Sequence, residues 1–153
     1  MARTLEASSN QLLVSEVLKK VSNAKTKAEK ISLLQKYNSQ ALRSILIWNY
    51  DETVVSMIPD GEVPYTPNDA PAGTEHTSLW KEAGKLYYFV KGGADKLPSL
   101  KRESMFIQLL EGLHESDAEV CILCKDKKLQ EKYRITKSVV QEAFPQIQWG
   151  GRS

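Results

Sequence analysis

Apolar residues that recur every three to four positions run through most of this chain, and one proline-rich stretch breaks the pattern. That periodicity places side chains on one face of a helix rather than on alternate faces of a strand. "LPSLKRESMFIQLLEGLH" carries it most clearly, with Leu100, Phe106 or Ile107, Leu110 and Leu113 on one face, Pro98 at the first turn and Gly112 near the end. A chain built this way buries its stripes by packing helix on helix.

The same spacing recurs upstream. "QLLVSEVLKKVSN" sets Leu13, Val17 and Val21 together, with Leu12 and Leu18 beside them. In "AKTKAEKISLLQKYN", Thr26 and Glu29 read as a capping box, and Ala28, Ile31 and Leu33 or Leu34 face inward. Asn38 and Ser39 break that helix and offer a cap for "QALRSILIWNY", where Leu42, Ile45 and Leu46 recur. Downstream, "TSLWKEAGKLYYFVKGG" predicts a helix capped by Thr77 or Ser78, lined by Leu79, Ala83, Leu86 and Val90, and stopped at Gly92 and Gly93. Its aromatic residues, Trp80, Tyr87, Tyr88 and Phe89, read as core mass in preference to a stacking platform for bases. "ESDAEVCILCKDKKL" opens on Ser116 and Glu119, a second capping box, and a last helix runs from Thr136 to Pro145.

Residues 51–76 cannot belong to these helices. They hold four of the six prolines, at 59, 64, 67 and 71, and each proline removes a backbone donor and fixes φ. "TVVSMI" allows a brief extended segment, and "PDG" spells a turn in which the glycine takes a positive φ. A loop of this length is either an acidic solvated connector or a binding surface, and the candidate contacts are Pro64, Tyr65 and Pro67, with Trp80 nearby in sequence. The expectation is a mainly α chain of six to seven helices in one domain. Residues 1–9 and 148–153 are expected to be flexible, with Trp149 as an anchor in the tail.

Cys121 and Cys124 form a C-x-x-C, the spacing shared by zinc sites and thiol redox centres. Structural zinc takes four ligands, and His76 and His114 complete no familiar zinc spacing with this pair. A redox pair wants a strand-to-helix junction, whereas these thiols fall past the first turn of a helix, inside "VCILC". Core packing is the reading preferred over metal and redox. No metal and no cofactor is therefore expected.

Other chemistry has little support. There is no G-x-x-x-x-G-K-[ST], no G-x-G-x-x-G and no G-x-S-x-G, so the expectation is a non-enzymatic protein. The net charge of +2 is uneven: residues 1–43 carry eight Lys and Arg against three Asp and Glu, and residues 44–84 carry one against seven. Lys19, Lys20, Lys25, Lys27 and Lys30 cross the first helix junction and could bracket a phosphate backbone. A solubilising surface is the commoner origin of such lysines. No apolar run approaches the roughly 20 residues that span a bilayer, so no membrane partner is expected, and the start lacks a secretory h-region.

Four segments in this order carry a resemblance: "KTKAEKISLLQKYNSQALRSIL", "IPDGEVPYTPNDAP", "LYYFVKGG" and "KRESMFIQLLEGLHESDAEVCILCKDKK". The chain resembles, from residue 14 to about 147, a family of short uncharacterised proteins from large tailed bacteriophages related to T4, marine and cyanobacterial phages among them. The resemblance implies an accessory protein made in the host cytoplasm, or a minor virion component. It lends no activity and no binding residue. The working expectation is a partner among host or phage proteins, with nucleic acid as the alternative.

Overall fold

The computed structural model describes residues 12–67 and 77–151. Expectations for the first nine residues, for Pro71 and His76, and for residues 152–153 lie outside these. Among the described residues there are eight α-helices and one 3-10 segment: α1 Val14–Asn23, α2 Lys27–Lys36, α3 Gln40–Tyr50, α4 Leu79–Glu82, the 3-10 segment Ala83–Phe89, α5 Ser99–Gly112, α6 Glu115–Lys125, α7 Leu129–Lys132 and α8 Lys137–Ala143. The molecule is mainly helical, as the periodicity predicts, and α7 is an additional single turn. Among the described residues no helix is long and apolar enough to cross a membrane.

Helices α3 and α6 form the centre. α3 packs on α4, the 3-10 segment, α6 and α8, and α6 also meets α1, α5 and α7. α3 buries Ala41, Leu42, Ile45, Leu46, Trp48, Asn49 and Tyr50, more than one face of a helix, because it is covered from several sides. Trp48, Phe89 and Phe106 meet there. The Trp48 and Phe89 rings stack at 6.2 Å, and Phe106 stands edge-on to Phe89 at 5.2 Å.

Local signals start most helices. Thr26, Ser39, Ser78 and Thr136 each accept a backbone N–H three residues on. At α2 the box is half-made: the Glu29 carboxylate accepts from the Thr26 hydroxyl, not from its backbone. Ser116, expected as a cap, is already inside α6. His114 takes the cap position, its Nδ1 accepting the Ser116 N–H at 3.1 Å. The Ser116 hydroxyl instead meets Ser15 Oγ across the α1–α6 junction at 2.7 Å. There Asp117 Oδ1 accepts the Ser15 N–H at 2.9 Å, satisfying an orphan donor in the first turn of α1.

Three further expectations need correction. Ala28 is exposed, since only Leu34 of α2 is fully buried. Leu100 is 83% exposed, because it stands in the first turn of α5 before the helix reaches the core. The helix expected to run on to Val90 stays α-helical for four residues only. Ala83, Leu86 and Phe89 are the buried set. A spacing of three suits the 3-10 helix, whose side chains eclipse at i and i+3. Val90 then leaves the helix and pairs with Ser56 in an antiparallel bridge. Met57 N–H donates to Phe89 O and Lys91 N–H to Val55 O, each at 2.8 Å, which realises the brief extended segment of "TVVSMI".

Candidate functional site

The described part of the proline-rich stretch, residues 51–67, is tied down by groups far away in sequence. Gly61 takes the positive φ, +94°, that "PDG" requires. Its N–H donates to Asp126 Oδ2 at 3.1 Å. Lys125 reaches up from the last turn of α6 with its side chain wholly buried. Its ammonium donates to Pro59 O and Gly61 O, each at 2.9 Å, and to Asp126 Oδ1 at 2.7 Å. Three acceptors match the three donors of an ammonium, so no donor of this buried lysine is left without a partner. Further along, Glu111 Oε2 accepts the Thr66 N–H at 2.9 Å. Ser56 is held in the same way: its hydroxyl donates to Lys125 O at 2.5 Å and accepts the Trp48 indole N–H at 2.8 Å.

This anchoring presents Pro64 and Pro67 to solvent and leaves Tyr65 half-buried. Tyr65 forms one wall of a groove of about 550 Å³, with Ile122 and Leu123 along α6 and Glu115 and Glu119 among its lining. Burial raises the Tyr65 phenol above its ordinary value, and the neighbouring Glu115 and Glu119 carboxylates raise it further. Trp80 does not line this groove. It is half-buried in α4, and its Nε1 is enclosed with no hydrogen-bond partner among the described residues. Tyr65 therefore lines the groove, Pro64 and Pro67 are exposed on either side of it in sequence, and Trp80 is not among the lining residues.

The five lysines fare unequally. Lys19, Lys20 and Lys25 are exposed. Lys27 pairs with Glu142 and donates to Ser138 Oγ at 3.0 Å, and Lys30 donates to the Arg134 carbonyl. Two of the five thus fasten α2 to the C-terminal part of the chain.

Cys121 and Cys124 are both fully buried. Burial pushes both thiols well above the ordinary thiol value, so neither offers a thiolate near neutral pH. The Cys124 thiol donates to Cys121 O at 3.4 Å, within its own helix. Among the described residues no group of His, Cys, Asp and Glu is placed to hold a metal ion.

Residues 17–131, more than half of the chain, match the sequence profile of a family of unknown function, DUF6433. The chain is a member of DUF6433. That match covers α2 to α6 in full, and so includes the anchored loop and the lysine that holds it. No curated protein and no solved structure matches this DUF6433 chain.

The groove acidic residues and Tyr65 were visible as residue types, but their partners were not. Lys125 was missed as a site residue because a lysine in the last turn of a helix normally faces solvent and the carbonyl end. The one available signal was its position directly after the all-apolar "VCILC".

Proposed function

We propose that this DUF6433 protein is a non-enzymatic interaction protein of a tailed phage. It docks a host or phage protein during infection or assembly, through Pro64, Tyr65, Pro67 and the groove beside them. The observation that carries the reading is the use of a wholly buried lysine ammonium to hold Pro59 and Gly61 in place. A loop already held, and stiffened by prolines, loses little further entropy when a partner binds it. The groove adds an apolar floor and two carboxylates for orientation. The phage setting, and with it the host cytoplasm or the virion as location, rests on the resemblance of the four segments named above.

A photo-crosslinking amino acid placed at Glu115, in cells where the phage carrying this gene replicates, tests the reading. A discrete crosslinked protein is expected, and Tyr65→Ala should remove it. No crosslink, or one indifferent to Tyr65→Ala, rejects the docking surface.

Nucleic-acid binding is the second reading, supported by exposed Lys19, Lys20 and Lys25. It requires salt-sensitive retardation of DNA or RNA that charge reversal at Lys19 and Lys20 abolishes. Absence of retardation at low salt removes it.

A further inference from the structure

A second concavity, of about 400 Å³, opens between α3 and the 3-10 segment and shares no lining residue with the Tyr65 groove. Its size falls within the roughly 300–1,000 Å³ of small-ligand sites. Leu86 and Trp48 lie at its base, buried, and the Trp48 N–H is already committed to Ser56. Tyr87 stands at its edge, 47% exposed, and stacks on Tyr88 at a centroid distance of 4.3 Å. At Gly84 a Cβ would meet nothing within 4 Å, so the 3-10 backbone itself is open to close approach. That 3-10 segment runs for seven residues, longer than the three or four usual for this helix.

The polar part of the lining has one character. Among the described residues it consists of the side chains of Gln40, Ser44 and Lys91 and the Tyr87 phenol, all able to donate, and contains no carboxylate. Lys91 is exposed and takes part in none of the ion pairs among the described residues. An apolar wall with one cation outside any ion pair, and with neutral groups able to donate beside it, suits an apolar ligand with a ring and an anionic group.

We propose that this cleft is a binding site for a small aromatic acid, its ring against Tyr87, Leu86 and the open backbone at Gly84, and its anionic group met by Lys91. The site is separate from the docking surface, so either can fail without the other.

The test uses the full chain and the fluorescent aromatic sulfonate 8-anilinonaphthalene-1-sulfonate. Saturable binding of one probe per chain is expected. Charge reversal by Lys91→Glu should weaken it about tenfold, the scale of one lost charge contact at a partly desolvated site. Gly84→Leu fills the cleft from the 3-10 side, where a Cβ has free space, and should abolish binding while leaving the circular dichroism and melting midpoint unchanged. Ser44→Phe fills it from α3 and should do the same, so the test does not hang on one variant folding. Dansylamide, an uncharged naphthalene, should bind about tenfold more weakly than the sulfonate. Fluorescence that never saturates, or that survives both blocking variants, overturns the site. Equal affinity for sulfonate and dansylamide, or indifference to Lys91→Glu, overturns the anion.

Discussion

Lys127 is the residue where the fold departs most from local preference. Its φ is +58°, a left-handed conformation that ordinarily goes to glycine at the end of a helix. The Schellman pattern is complete around it: Lys127 N–H donates to Cys124 O at 3.1 Å and Lys128 N–H to Leu123 O at 2.8 Å. Lysine is kept because its ammonium reaches the C-terminal end of α3, donating to Trp48 O at 2.6 Å and Asp51 O at 2.9 Å. Burial there pushes the ammonium below its ordinary value. Lys127→Ala loses those bonds and keeps the backbone penalty, while Lys127→Gly loses the bonds only. Urea denaturation should therefore find the alanine variant less stable than the glycine variant by about 1 kcal/mol. Asp117 offers a titration counterpart. Burial raises its carboxyl above the ordinary 3.8, outweighing the Ser15 hydrogen bonds. A raised folded value means that the native state binds the proton more tightly, so this contribution is full below the unfolded value and declines as pH rises through the folded one. Asp117→Asn keeps an acceptor for Ser15 without the ionisation. Its stability relative to the natural chain should rise between acid and neutral pH in denaturation curves, and a difference that stays flat would reject the assignment.

Among the elements, the anchored loop is where anatomy and proposed role meet. Lys125→Met should cost about 3 kcal/mol, the range for removing one partner of a buried charged network, because the Pro59 and Gly61 carbonyls and Asp126 lose their donor together. Amide exchange at Gly61 and Thr66 should quicken well before the rest of the chain, reporting local release of the loop. Exchange that changes uniformly would mean the lysine supports the whole core instead. The "PDG" turn was readable because glycine, proline and aspartate act on their own backbone. The anchor was not, because it joins Lys125 to Pro59 across 66 residues. The same contrast holds at α6. Its apolar middle announced burial of Cys121 and Cys124, whereas the His114 cap and the contact of Ser116 with Ser15 came only with the assembled structure.

In the whole molecule, the C-terminal region beyond the family match closes on its centre. α8 packs against α2, and Tyr50 donates its hydroxyl to Ile135 O at 2.7 Å. Trp149 Nε1 donates to Phe144 O at 3.3 Å, and Gly150 N–H to the buried Asp51 at 2.9 Å. A chain ending at Ile147 should thus lose about 1–2 kcal/mol, the cost of leaving a buried carboxylate short of a donor. It should still unfold in one transition seen alike by tryptophan fluorescence and circular dichroism. Separate transitions would show that the C-terminal part folds by itself.

Helix content, most caps and the burial of the thiols follow from the order of residues alone, because each depends on neighbours within one or two turns. Tertiary packing decided the rest. It made 83–89 a 3-10 segment by calling Phe89 inward in place of Val90, left Leu100 in water, and placed the Lys125 and Lys127 ammonium groups on carbonyls from a distant stretch of chain. A lysine's reach is longer than a helical turn, and what lies within that reach is set only when separate helices come together.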